Sequence, residues 1–314
     1  MSEVSTKDKG TALVFAVVAT VILIEVGFRL IAPSQHAFNN VSDAYPDNPR
    51  GYFELLSAEG EPEVYGITMN TSDGLGGRPA ATVDAPTILG LGDSQALGQG
   101  VRYEDTMYAK LGEYLDTSVR NVAVKGYDLD EVVSRYAYEA RDPDQYDWVV
   151  YALVLDDFGL DRTKSESPAS TAGPWRNRSA TINFFAHIGE QWALSEATTT
   201  AYLQSYSGDT FQQKSTQIRG LRDAVRSDGG QMLLVIWPLL YDFENYPFAP
   251  IHDTLNTLAN ELDIPVVDGL RVLGMKEASS LWVHAVDHHP NEVAHGLMAQ
   301  AVAKTIKKHS SKVQ

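Results

Sequence analysis

The sequence contains no cysteine, which removes disulfides, thiolate metal sites and thiol nucleophiles at once and leaves the redox compartment unmarked. It is also short of positive charge. Its 25 Lys and Arg face 41 Asp and Glu, a formal net charge of −16 at pH 7. Binding a polyanion requires a basic face, so nucleic acid is excluded as a partner. There is no glycine-rich phosphate loop and no internal repeat, and no cofactor or metal site is expected; His284, His288 and His295 lack a fixed ligand spacing and are read as surface or helix-packing residues.

A hydrophobic content of 44% over 314 residues is enough to bury one large core. Long apolar runs are confined to one place, residues 11–32, TALVFAVVATVILIEVGFRLIA, interrupted only by Glu25 and Arg29. At 1.5 Å per residue such a run matches a hydrocarbon core of roughly 30 Å and exceeds the usual apolar part of a cleaved signal peptide. It is expected to be a membrane anchor, with Glu25 and Arg29 sharing one helix face, where they can pair or snorkel to the interface. Lys7 and Lys9 precede it, and Asp43 and Asp47 follow it. The positive-inside rule then puts residues 1–10 in the cytoplasm and the rest of the chain outside, at the cell membrane.

Residues 33–85 are polar and rich in turn formers, NTSDGLGGRP above all, and read as a juxtamembrane linker packed on a domain edge. From residue 86 to 314 apolar runs alternate with amphipathic stretches. Strands are predicted at 87–92, 121–124, 148–155, 231–237 and 264–268, and helices at 104–115, 129–140, 216–227 and 251–262. The runs lack polar alternation, as central parallel strands covered on both faces do, which implies a three-layer α/β/α sandwich around a parallel sheet. Residues 159–213 are too long for an ordinary connection and read as an insertion, a loop first and helical after Ile182.

Two separated motifs carry chemistry. A buried strand ends in Gly92-Asp93-Ser94 within LGLGDSQALGQGV, and near the C-terminus VDHHPNEVAHG holds Asp287 and His289 two residues apart before Pro290. A serine hydroxyl needs a base within hydrogen-bond reach, and the base needs an acid to orient it. In this order, on this strand pattern, the motifs resemble the SGNH or GDSL-type hydrolase family, over roughly residues 70–307. The resemblance extends to Gly98, Gly100 and Val101 after the serine, to Asn291 after Pro290, and to the anchor and the Gly74-Leu75 turn seen in membrane-attached members.

The resemblance implies a flavodoxin-like fold and a Ser-His-Asp triad of Ser94, His289 and Asp287. His289 is preferred to His288 because the family's proline follows it. The implied oxyanion hole uses the backbone N–H groups of Ser94 and Gly126 and, in the family, an asparagine that this chain replaces by Asp156. An ionised carboxylate there accepts rather than donates hydrogen bonds. Two functions are therefore open: a membrane-anchored esterase or O-acyltransferase acting on a small-molecule or glycan ester outside the cytoplasm, or a catalytically weak domain of the same fold that binds a glycan or a protein. Trp237 and Pro238 are expected to line an acyl pocket, and Tyr241, Phe243, Tyr246 and Phe248 to form an aromatic loop near it.

Overall fold

The computed structural model describes residues 6–31, 63–64, 67–68, 77–78, 86–140, 145–158, 179–182, 196–284 and 287–310. They fall into two compact units, one of Met1–Ser34 with Thr163–Leu194 and one of Gln35–Arg162 with Ser195–Gln314.

The first unit is built on helix α1 (Thr6–Ile31). Phe15, Val17, Val18, Val21, Ile22, Leu23, Ile24 and Val26 on this helix are all exposed. Glu25 and Arg29 pair, Arg29 Nε donating to Glu25 at 3.0 Å. Glu25 also accepts from Ser179 Oγ at 2.8 Å, Ala180 N at 2.8 Å and both Thr181 N and Thr181 Oγ1. Among the described residues no helix is long and apolar enough to cross a membrane.

The first described elements of the second unit are a small antiparallel pair, β1 (Glu63–Val64) and β2 (Ile67–Thr68). Its centre is a five-stranded, all-parallel sheet of β3 (Ile88–Gly92), β4 (Val119–Asn121), β5 (Trp148–Val154), β6 (Gln231–Trp237) and β7 (Val266–Asp268), in spatial order β4-β3-β5-β6-β7. Every residue of β3 and β5 is buried, and all of β6 except Gln231. That explains why these strands read as unbroken apolar runs.

Helices cover both faces. α3 (Met107–Leu115) packs against the C-terminal helix α9 (Glu292–Ser310), while α4 (Leu129–Glu139) packs against α6 (Gly208–Ser227). α7 (Ala249–Glu261) lies on β6 and β7, and Arg222 of α6 donates to Leu262 O just past its end at 2.6 Å. α5 (Glu196–Ser205) precedes α6, and α8 (Gly269–Leu273) rests on α9. This is the expected α/β/α architecture, with the strand order of flavodoxin-like sheets and its reversal between β3 and β5.

Several boundaries differ from the sequence reading. The edge strand ends at Asn121, and residues 122–124 run on beside β3 through Val122 N to Gly90 O and Val124 N to Gly92 O. The helix expected at 104–115 is split, a 3₁₀ turn at Tyr103–Asp105 preceding α3, whose N-cap Thr106 accepts from Ala109 N. α6 starts eight residues before the predicted 216, because Phe211 stacks against Phe158 at 5.9 Å and draws a polar stretch into the helix. Of the insertion at 159–213, residues 179–182 and 196–213 are described, the latter forming α5 and the start of α6 with a break at 206–207; the rest of it, like most of the linker at 33–85, lies outside the described residues.

Candidate active site

The site forms at the carboxyl ends of the strands, beside the reversal in strand order where open α/β sheets bind ligands. β3 ends in Gly92, whose φ of 146° only glycine adopts at ease, and a Cβ there would stand 2.7 Å from Ala152 O and 2.6 Å from Ala96 Cβ. The chain therefore turns sharply off the sheet into the one-turn helix α2 (Ser94–Leu97), with Asp93 as N-cap accepting from Gln95 N at 2.9 Å. Ser94 opens this turn and is buried.

The partner comes from the other end of the sequence. β8 (Trp282–His284) and β9 (Asp287–Pro290) form an antiparallel pair, and β9 packs against α2. Asn291 fixes its exit: its Oδ1 accepts from Val293 N and Ala294 N at the start of α9, and its Nδ2 donates to Ser280 O and Trp282 O. Successive strand residues alternate faces, so Asp287 and His289 lie on the same side.

The result is a continuous hydrogen-bonded chain. Asp287 Oδ1 is 2.5 Å from His289 Nδ1 and also accepts from His289 N at 3.0 Å, and His289 Nε2 is 3.0 Å from Ser94 Oγ. Burial opposes a charge on His289, but the hydrogen bond and charge of Asp287, helped by Asp93, outweigh it; the imidazole pKa lies above 6.5, with Lys125 pulling the other way. The aspartate thus holds the ring with Nδ1 protonated and Nε2 facing the serine.

Three carboxylates crowd the floor of this site. Asp93, Asp156 and Asp157 approach one another within 4.8 Å. Asp157 is fully buried, its Oδ2 accepting from Tyr151 Oη at 2.6 Å and from Val154 N at 3.1 Å. Burial and the charges of Asp93 and Asp156 push its pKa well up, while burial and Asp156 raise that of Asp93 to about 6. Asp156, half-buried on the turn after β5, is thereby placed beside Asp93. Gly126 sits on the turn beyond β4 with φ 84°, in the segment that Val124 N ties to Gly92 O.

The remaining candidates separate. His288 stacks on Trp282 with ring centroids 3.7 Å apart and meets Tyr241 edge-on at 5.4 Å. His295 is buried, accepts from Met107 N at 3.0 Å, and has its pKa driven down to about 3 by burial and by Arg78; it is a packing residue joining α9 to α3. Trp237 is fully buried against His295, so it is part of the core and not the mouth of an acyl pocket. Of the aromatic loop, Phe243, Tyr246 and Phe248 pack on one another, Phe248 also on Tyr202, and Tyr241 alone reaches towards β9 through His288. Sequence reasoning missed Lys125, which acts electrostatically on His289, and the buried pair Arg78 and Asn121. None of the three belongs to a periodic pattern.

No protein-family model matches this chain, and neither does any curated protein. Among solved structures it is similar to an acetyl-xylooligosaccharide esterase from Geobacillus, at 15% identity over 71% of this chain and 95% of that one, with a TM-score of 0.46. It is likewise similar to a psychrotrophic esterase from Pseudoalteromonas (15% identity, 73% and 100%, 0.42) and to a member of the lipolytic G-D-S-L family from Veillonella parvula (14%, 69% and 96%, 0.42).

Proposed function

We propose that this protein is a serine esterase or O-acyltransferase of the SGNH type. The observation that carries the reading is the unbroken relay Asp287–His289–Ser94, with contacts of 2.5 and 3.0 Å, at the carboxyl end of the parallel sheet. In this reading His289 Nε2 takes the proton from Ser94 Oγ as the oxygen attacks an ester carbonyl, and Asp287 stabilises the imidazolium. Collapse of the tetrahedral intermediate expels the alcohol, which takes the proton from His289. An acyl-Ser94 remains, to be released by water or by a hydroxyl of an acceptor such as a glycan. The backbone N–H groups of Ser94 and Gly126 are the proposed oxyanion donors. No step requires a cofactor.

Attachment to a bilayer through residues 11–32 is proposed with it, the catalytic unit lying outside the cytoplasm. The exposed apolar side chains of α1 support this, since a run of such residues is otherwise costly in water. The decisive experiment is treatment of the whole chain with a fluorophosphonate probe, which reports an activated serine whatever the natural substrate. Stoichiometric labelling at Ser94 is expected; a silent serine would leave the binding-module reading, which the crowd of carboxylates at Asp93, Asp156 and Asp157 favours.

A further inference from the structure

Arg78 comes from the glycine-rich segment before the sheet and is 2% exposed. Its backbone N donates to Asn121 O at 2.9 Å, an isolated antiparallel bridge against the edge strand β4. Its guanidinium reaches over to the chain that follows the nucleophile. Nη1 donates to Leu97 O at 2.6 Å and Gly98 O at 3.0 Å, and Nη2 donates to Val101 O at 2.7 Å. Asn121 adds a fourth contact, Nδ2 to Ala96 O at 3.4 Å, while its own Oδ1 accepts from Ala123 N.

The segment these groups hold has a handful of backbone bonds of its own, Leu97 N to Asp93 O, Gly98 N to Gln95 O, Gln99 N to Ser94 O and Val101 N to Gly98 O. A single helical turn is a poor nucleus, so the added bonds to its carbonyls matter. Gly98, with φ 78°, ends α2 in a left-handed cap so close to Arg78 that a Cβ would lie 2.9 Å from Nη1. Burying a guanidinium is expensive, and an apolar side chain of similar volume would fill the space at lower cost if filling were the only need. Burial does pull its pKa down, to about 10, which leaves it charged at neutral pH. The charge then sits at the carboxyl end of α2, where a cation is favoured.

We infer that Arg78 is a positioning residue for Ser94, clamping α2 by the carbonyls of Leu97, Gly98 and Val101 so that Oγ stays within reach of His289. The inference rests on the proposed serine chemistry. The three guanidinium bonds go to Leu97, Gly98 and Val101 and not to Ser94, His289 or Asp287, so Arg78 acts through where Ser94 stands. Lysine offers one ammonium in place of two guanidinium nitrogens aimed at separate carbonyls and cannot reproduce the clamp.

The test uses full-length wild type and Arg78→Lys, each treated with a fluorophosphonate under pseudo-first-order conditions, and reads two numbers: the labelled fraction at completion and the rate constant for reaching it. The expected result is an undiminished end point with a rate constant lower by about 10-fold to 100-fold, the range that a misplacement of about 1 Å produces. With a small acetate ester, kcat should fall by a similar factor and KM should stay. A merely structural role would lower the end point and leave the rate constant of the surviving fraction unchanged, and that outcome overturns the inference. Should Arg78→Lys not fold, Asn121→Ser loosens the same turn at Ala96 O and must slow labelling at full stoichiometry, or the clamp is rejected. A wild type that does not label at all rejects the serine chemistry itself, a result distinct from equal rates in wild type and variant, which rejects only the role of Arg78.

Discussion

His288 and His289 are neighbours in the chain and face opposite sides of β9: His289 Nε2 lies 3.0 Å from Ser94 Oγ, while the His288 ring stacks on Trp282 at 3.7 Å. Strand geometry alone produces this division, since adjacent side chains alternate. Ser94→Ala and His289→Ala should each abolish fluorophosphonate labelling, because nucleophile and base act as one unit. His288→Ala should keep most of it. Mass spectrometry of the labelled peptide checks all three, and a dead His288→Ala beside an active His289→Ala would reverse the assignment.

The pH dependence follows from His289. Its pKa is raised above 6.5 by Asp287 and Asp93 against the opposing effect of burial, and only the neutral ring can accept the serine proton. Labelling should therefore rise with pH through a midpoint above 6.5. Asp287→Asn removes the charge and lets an amide N–H face His289 Nδ1, so the tautomer is no longer fixed, and the rate should drop by on the order of 10⁴ with the midpoint displaced downward. A variant with wild-type rate and midpoint would mean that Asp287 does not serve His289.

Asp93 is a stability prediction. Its carboxyl is raised from 3.8 to about 6 by burial and by Asp156. A folded-state pKa above the unfolded one means that the folded chain holds a proton the unfolded chain has lost. Stability from this group is full below about 3.8, declines as pH rises to about 6, and is flat beyond. The shift corresponds to at most roughly 3 kcal/mol. Asp93→Asn keeps an oxygen for Gln95 N and cannot ionise, so at pH 7.5 it should melt above wild type and at pH 4 beside it. Thermal melts across that range decide; a difference independent of pH would deny that Asp93 is the titrating group.

Topology is tested separately from chemistry. A reporter active only outside the cytoplasm, fused after Gln314, should be active, and the chain should sediment with membranes. Recovery of a soluble protein shortened near residue 33 would show cleavage, and a silent reporter would reverse the orientation.

The sheet was legible because β3, β5 and β6 are buried on both faces and so carry their burial openly as apolar runs. Ser94 and the Asp287–His289 pair were legible because each lies in a short local motif. Arg78 was not: its role depends on carbonyls about 20 residues away, and a lone arginine in a glycine-rich stretch gives no sign of burial. Trp237 misled for a related reason. The end of a strand in an open sheet is a common place for a pocket, but here His295 of α9 closes over it, a contact set by how α9 packs and not by the residues around Trp237.

Asp156 is the position where the resemblance and this chain part, and its surroundings sharpen the test. It lies within 4.8 Å of Asp93 and Asp157, and its charge is among the causes that raise both of their pKa values. Replacing Asp156 with Asn should accordingly lower the Asp93 pKa and narrow the window in which stability varies with pH. The effect on rate separates two roles. If residue 156 faces the oxyanion, a unit charge about 4 Å away at an effective dielectric near 20 opposes it by roughly 4 kcal/mol, close to a thousandfold in rate. Asp156→Asn would remove that repulsion and add a donor, raising acylation at pH 8 by up to about 100-fold to 1000-fold. If Asp156 instead acts through its acidity, for example by binding a cationic acceptor, the same variant should lower turnover of the natural substrate while leaving fluorophosphonate labelling of Ser94 unchanged. Measuring labelling and ester hydrolysis side by side from pH 5 to 9 distinguishes the two, and an unchanged profile in both assays would place Asp156 outside the reaction altogether.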